Sequence, residues 1–461
     1  MQPPPSLWWS QLDQPLPSRP ALGEDLDVDV AIVGGGFTGL WSARELLRRD
    51  PSLRVAVIEK EVCGFGASGR NGGWASSFYP VSEGAVVARH GEDAWHHLRH
   101  TLRTAVVSLG AALAEDGINA DFHRGGTLDF ARNEVQAARL RARVETARSS
   151  GVPSSDLDWL DEGAARARGN FTHVLGATYS PHCARLHPAR LVRGLADSVE
   201  RLGAMVFEHS PVTRILAGGV RVPPGVLTPS ARVRAKYVVR ATEGFTPTLP
   251  GQRRRFAPLY SLMIASAPQS RSFWDSVGLA NYETFADDRH LIIYGQRTSD
   301  DRLAFGGRGA PYHFGSAVEP RFDESAKVFS LLETTLRELV PDLEGDVTHR
   351  WGGPLAMPRD LSPTVALDHS SGLVVAGGYT GDGVVMSYVA ANAVADLVTQ
   401  PGVETRFTTL PFVQHEGRRW EVEPLRWLGI NAGLALAARA DRADERGRRS
   451  RASGWLERLV T

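Results

Sequence analysis

The sequence predicts a chain of the α/β class, α+β overall, in which a parallel βαβ layer is joined to a second domain of antiparallel sheet plus helices. Three observations predict it. Residues 28–59 read as strand, glycine turn, helix and strand; residues 373–398 repeat strand, glycine turns and helix; residues 260–305 hold short alternating strands between polar turns. At 461 residues the chain is also too long for one simple core, so two packed regions are expected.

Val28 to Val33 have the β-branched content of a buried parallel strand, and Phe37 to Arg49 carry Leu40, Trp41, Ala43, Leu46 and Leu47 at helical spacing. Between them lies Gly34-Gly35-Gly36-Phe37-Thr38-Gly39. Gly34 permits the tight turn, Gly36 lets backbone approach a pyrophosphate, and Gly39 lets helix and strand pack closely. The helix N-terminus, with its unpaired N–H groups, then faces the phosphates. A second strand, Arg54 to Ile58, ends in Glu59, twenty residues after Gly39, where an acid can bind a ribose hydroxyl pair. This is a Rossmann-like unit, and the acid favours an unphosphorylated ribose, leaving NAD and FAD. The small-residue stretch Gly64-Phe65-Gly66-Ala67-Ser68-Gly69-Arg70-Asn71-Gly72-Gly73 favours FAD, because it can run beside an extended ligand where a simple NAD fold would enter a helix.

Together these segments resemble the D-amino-acid-oxidase superfamily of FAD-dependent oxidoreductases, and within it the γ-glutamylputrescine-oxidoreductase branch. The likeness continues through Leu186 to Val192, Gly203 to Val212, Ala235 to Gly244, Trp351 to Pro354 and Gly377 to Val384, covering roughly residues 25–400. It implies FAD contacts from Gly34, Gly36, Phe37, Thr38 and Gly39, from Glu59 and Lys60, and from Gly66, Ala67, Ser68, Arg70, Asn71, Gly72 and Gly73. Val212 is expected at the adenine, Ala241 and Thr242 beside the cofactor, and Gly378, Tyr379, Gly381, Gly383 and Val384 at the flavin. The helix predicted over Val384 to Val398 would aim its N-terminus at the side of the flavin that gains negative charge on reduction. Asp382 either caps it or faces solvent. With no cysteine in 351–367 and no histidine just after Glu59, FAD is expected to be non-covalent.

The matches fall in separate pieces, so the FAD-binding domain is expected to be discontinuous: 25–85, 180–254 and 345–400. Residues 86–179 and 255–344 then form the substrate domain over the flavin. The first is read as mostly helical, with Trp95, Leu98, Leu102, Val106 and Leu109 on one face; the second holds strands at Tyr260 to Ala265, His290 to Tyr294 and Arg302 to Phe305. Residues 1–24 are expected to form a strap whose Trp8 and Trp9 pack on the surface, and 401–461 a docked helical extension.

The resemblance implies oxidation of a primary or secondary amine, or an amino-acid derivative, by hydride transfer to flavin N5, followed by imine hydrolysis. Tyr294, Arg297 and Arg308 are the candidate catalytic contacts, with Arg70 and Trp74 near the ring. Sarcosine-oxidase-like relatives bind the substrate carboxylate through a lysine where this chain has Val385, which disfavours a small α-amino acid held that way. The stretch Tyr282 to His313 has no lysine to activate oxygen, so the electron acceptor stays open. A monooxygenase fed by NAD(P)H and a non-catalytic flavoprotein subunit remain as alternatives; no second G-x-G-x-x-G supports the former.

Composition narrows the rest. With 52 basic and 52 acidic residues, nothing suggests a nucleic-acid partner. Two cysteines, Cys63 and Cys183, are too few for a disulfide framework or a zinc site, and the scattered His123, His182 and His187 have no ligand spacing, so no metal is expected. No apolar stretch approaches a membrane span and no leader precedes the strap, so a cytoplasmic protein acting on a small amine is expected.

Overall fold

The computed structural model describes residues 6–13, 16, 19–220, 222–307, 309 and 312–448. The first parallel layer begins with β1 (Val30–Val33), α1 (Phe37–Arg49) and β2 (Val55–Ile58). After a loop and β3 (Trp74–Ser76), α2 (Glu92–Glu115) leads to β4 (Thr127–Ala131), α3 (Glu134–Ser149), β5 (Asp158–Leu160), β6 (Gly176–Ser180) and β7 (Cys183–Arg185). The chain returns through α4 (Pro188–Arg201), β8 (Met205–Phe207) and β9 (Tyr237–Arg240), then leaves again through β10 (Ala257–Ser266), β11 (Thr284–Asp287), β12 (Ile293–Arg297) and β13 (Leu303–Gly307). It closes with β14 (Val347–Met357), β15 (Thr364–Asp368), β16 (Leu373–Gly377), α5 (Gly383–Thr399) and α6 (Leu425–Asp444).

Two large sheets result. The first runs β15-β16-β9-β1-β2-β8, parallel except at the β15 edge. β1 and β2 are buried on both faces, as a parallel layer requires. Val30, Ile32, Val55 and Val57 pack under α1, α4 and α5, whereas Ala31, Val33, Ala56 and Ile58 pack on a small four-stranded sheet around Val226 and Val233. The second sheet runs β14-β10-β13-β12-β11-β4-β6-β5, antiparallel apart from the β11–β4 pair. One of its faces holds an apolar core of Leu128, Phe130, Phe171, Phe285 and Phe305.

One expectation is refined and two are corrected. Residues 86–179 are mostly helical as expected, yet Thr127–Ala131, Asp158–Leu160 and Gly176–Ser180 are strands of the second sheet. Moreover α2, whose Leu98, Leu102, Val106 and Leu109 are buried as its periodicity requires, packs against α5 in the core of the first layer. Finally, β14 lies in the second sheet, paired along its length with β10, although it falls within the expected FAD-binding segment 345–400.

The strap packs its indoles on the domain, and deeper than its surface. Leu7, Trp8 and Trp9 form one helical turn capped by Ser6, and they are wedged between Ala189 of α4 and Met263, Ala304 and Trp351 of the second sheet. The Trp8 indole N–H donates to Asn71 O at 2.9 Å and its ring meets Trp351 edge-on. The helical extension α6 docks instead on the second sheet's loops, where Asp441 accepts from the N–H groups of His290 and Leu291. Trp8→Ala removes an aromatic from a filled interlayer site, so it is expected to lower unfolding free energy by about 3 to 5 kcal/mol in denaturant titrations.

Candidate functional site

The glycine loop opens at the C-terminal edge of the parallel strands. A Cβ on Gly39 would stand 2.0 Å from Gly34 O, and one on Gly34, whose φ is +112°, would stand 2.5 Å from Ala241 O. Side chains are therefore excluded where helix, turn and β9 meet. The N-cap of α1 is Gly36, which offers no capping side chain, and the first turn has no acidic residue. The positive helix end is thus open to an anion, with the Ser68 hydroxyl accepting from Phe37 N at 2.8 Å at its rim. Glu59 lies beside it, its carboxylate accepting from Gly35 N at 2.7 Å and Glu61 N at 2.9 Å. Burial, opposed by these two bonds, moves its pKa upward.

The C-terminal glycine run reaches the same place from the other side. Its backbone turns through Gly378, Thr380 and Gly381, all at positive φ, and Tyr379 OH meets Thr38 Oγ1 at 3.0 Å. A buried carboxylate holds this turn: Glu243 accepts from Gly378 N at 2.8 Å and Tyr379 N at 3.3 Å. Burial pushes Glu243 up to about 7 despite those bonds and the charge of Arg240. Asp382 stands at the N-cap of α5 without capping it and lines the cavity.

A single cavity of about 850 Å³ joins both segments to the second sheet. Beyond the glycine loops its wall consists of Trp74, Ser261, Ala286 and Tyr294, then Thr127, Asp129, Thr178 and Ser180. The Tyr294 hydroxyl meets Ser261 Oγ at 2.8 Å and its ring stands edge-on to Trp74. Arg70 is buried, bonded to Asp323 at 2.7 Å and to Gly352 O at 2.8 Å, yet its Nη2 has no hydrogen-bond partner; neither has Trp74 Nε1. An uncapped helix end, a ribose-type carboxylate and orphaned donors on one wall fit an adenine dinucleotide that carries a polar ring system.

The FAD dependent oxidoreductase (DAO) family model matches residues 29–397. The chain belongs to this family. It is 30% identical over 398 residues to gamma-glutamylputrescine oxidoreductase of Escherichia coli (strain K12), covering 86% of this chain and 88% of that one. It is 28% identical over 406 residues to glycine oxidase of Geobacillus kaustophilus (strain HTA426), covering 85% and 98%. The glycine oxidase crystal structure from Geobacillus kaustophilus shares the fold, with a TM-score of 0.70 at 24% identity over 85% of this chain and 100% of that one. The protein is an FAD-dependent oxidoreductase.

In this DAO-family chain most residues expected at FAD line the cavity: Gly34, Gly36, Phe37, Thr38, Glu59, Lys60, Gly66, Ala67, Ser68, Arg70, Asn71, Gly72, Val212, Ala241, Thr242, Tyr379, Gly381, Gly383 and Val384. Gly39, Gly73 and Gly378 instead allow close packing. A Cβ on Gly73 would strike Gln296 Nε2 and Leu186 O, and one on Gly378 would strike Pro358 and Phe256. Gln296, which the sequence reading missed, donates to Gly72 O at 2.6 Å and braces that segment.

The substrate candidates divide. Tyr294 and Trp74 line the cavity, but Arg297 does not: strand alternation sends it to the other side, where it pairs with Asp301 at 2.6 Å and stacks on Trp274. Arg308 lies outside the described residues. Val385 is fully buried in the core of the first layer, whereas Val384 and Ser387 line the cavity. His187 caps α4, and His182 lines the cavity while bonded to Asp156 at 2.8 Å. Among the described residues no cluster has metal-ligand geometry and no helix is long and apolar enough to cross a membrane.

Two outcomes follow from this geometry. Gly36→Val places a branched side chain beside Ser68 in the anion cradle, so the purified variant is expected to lose the flavin absorbance band while its circular dichroism is retained. Glu243 has a folded pKa above the ordinary 4.5, so the native state holds its proton more tightly than the unfolded chain. Its stabilising contribution is full below about 4.5 and is lost as pH rises through about 7. The melting temperature of the wild type relative to Glu243→Gln is therefore expected to fall across that interval in calorimetry.

Proposed function

We propose that the protein oxidises an amine at the carbon bonded to nitrogen. The observation that carries this reading is the continuity of the cavity: one space runs from the helix end that suits the FAD pyrophosphate to a compact wall of Trp74, Ser261 and Tyr294. Bound there, FAD would accept a hydride from the amine's α-carbon, leaving an imine that water hydrolyses. The chain's own part is orientation and exclusion of water. Trp74 and Tyr294 stand edge-on and restrict the substrate carbon, while the paired Tyr294 and Ser261 hydroxyls offer oxygen acceptors for an amine N–H.

The relatives support the substrate class, since gamma-glutamylputrescine oxidoreductase and glycine oxidase are named for an amine and an amino acid. FAD is held without a covalent link: Cys63 and Cys183 are buried and do not line the cavity, and the cavity-lining His182 and His290 are engaged with Asp156 and Asp444.

Anaerobic mixing with a panel of primary and secondary amines is expected to bleach the flavin absorbance without NAD(P)H, and acid precipitation to release free FAD into the supernatant. Bleaching by NADPH alone would replace the amine reading with that of a nicotinamide-fed flavoenzyme.

A further inference from the structure

We propose that α6, which lies beyond the family-matched residues 29–397, fixes the mouth of the cavity, with Asp441 and Asp444 as positioning residues for the loop that forms its rim. The amine reading above enters only through the kinetic half of the test.

The loop joins β11 to β12. Asp288, Arg289, His290 and Ile292 line the cavity, yet Ile292 keeps 38% of its surface exposed. A side chain that faces both cavity and solvent stands at an opening. Arg143 of α3 does the same, with 48% of its side chain exposed, and it pairs with Asp288 at 2.7 Å. Residues 288–292 therefore form one lip of the mouth, directly before the strand that carries Tyr294.

Backbone N–H groups in such a loop need partners, and α6 provides them. The neighbouring N–H groups of His290 and Leu291 both donate to the Asp441 carboxylate, at 2.6 and 3.0 Å. Charge-assisted bonds of this kind are roughly twice as strong as neutral ones. One helical turn on, and so on the same face, Asp444 is buried and pairs with Arg139 at 3.0 Å and with His290 Nε2 at 3.5 Å. Arg139 in turn pairs with Asp288. The lip is thus gripped through its backbone by Asp441 and through its side chains by Asp444.

A grip positions a loop only if its own base is fixed. Arg426, buried in the first turn of α6, donates to Arg253 O at 2.9 Å and pairs with Glu423 at 2.8 Å, while Glu423 accepts from Tyr312 OH at 2.7 Å. Ile430 packs on the cluster of Ala257, Tyr312 and Met357. The helix is therefore rooted where β10 begins and β14 ends, and from Arg426 to Asp441 it rises about 22 Å to reach the lip. Burying apolar surface does not account for this arrangement, because Leu425 and Leu428 stay 61% and 52% exposed. The specific contacts of α6 are polar, and those at its far end converge on the rim.

The test uses the FAD-loaded protein and compares Asp441→Ala, Asp441→Asn and Asp444→Ala with Glu445→Ala, an exposed site beside them. Hydrogen exchange, read by mass spectrometry on a peptide spanning 287–293, reports on the lip. Anaerobic flavin reduction by the amine that bleaches the wild type fastest reports on the mouth. Both Asp→Ala variants are expected to speed lip exchange by about ten-fold or more. The apparent dissociation constant of the amine should rise about five- to ten-fold, with the limiting rate of flavin reduction within about two-fold of wild type. Asp441→Asn keeps one acceptor oxygen and should fall between; it also decides the matter should an alanine variant not fold. Glu445→Ala should change neither quantity, and all variants should retain their flavin. Unchanged exchange in Asp444→Ala would overturn the inference, as would unchanged amine affinity despite faster exchange. A limiting rate or flavin content that falls together with affinity would overturn it too, because α6 would then be a general support. Reduction of the wild type by no amine would remove the amine reading alone, and the exchange comparison with Glu445→Ala would still decide whether α6 holds the rim.

Discussion

The close approach of α1 to the end of β1 is the constraint on which the site depends. It is possible only because Gly39 presents a hydrogen where a Cβ would sit 2.0 Å from Gly34 O. The helix consequently starts at the C-terminal edge of the parallel strands, and its N-terminus, with no capping side chain at Gly36, turns its positive end toward the cavity. Segments distant in sequence then converge on it: Ser68 on Phe37 N, Ala241 against Gly34, and Tyr379 on Thr38. Each approaches through backbone or a small polar group, which leaves the space that a pyrophosphate needs.

The second sheet solves a different problem. It must bury one face in an apolar core and present the other to a ligand, and antiparallel pleating allows this where a doubly covered parallel layer does not. The division is visible residue by residue: Leu128, Phe130 and Phe285 go into the core, whereas Thr127, Asp129 and Ala286 go to the cavity. The first layer therefore lines the glycine-loop end of the cavity and the second sheet its opposite wall. The parallel β11–β4 pair matters here, because it joins the substrate-facing strands of residues 127–180 to those of residues 257–307 in one continuous row.

Sequence reading succeeded where a residue's role follows from its neighbours in the chain. The span of α1, the β1–α1–β2 unit and the glycine run before α5 were legible because turn chemistry and apolar periodicity coincide there. It failed where the role depends on pairing. Thr127–Ala131 alternates over only five residues between helices, too short a signal to mark it as a strand, so Asp129 and Thr178 escaped notice. Arg297 is a candidate by its charge, but its odd offset from Tyr294 along β12 turns it to the other face. The resemblance draws attention to Val385, but its position on α5 turns it into the core. The depth of the strap is hidden for a similar reason: two tryptophans near a terminus do not reveal that the layers leave a slot between them.

That slot links the two layers mechanically. Trp8 donates to Asn71 of the cofactor segment while its ring rests on Trp351 of β14, whose own indole N–H donates to Arg70 O. Arg70 then reaches Asp323 and Gly352 O, and Gln296 of β12 holds Gly72. The short segment 70–73 is thus fastened from above by the strap and from both ends by strands of the second sheet. A wall bonded at so many points cannot widen at one point without disturbing the others, since packed interfaces resist continuous deformation. The position of the cofactor segment against the row from Tyr294 to Thr178 is accordingly set by several bonds from different elements at once.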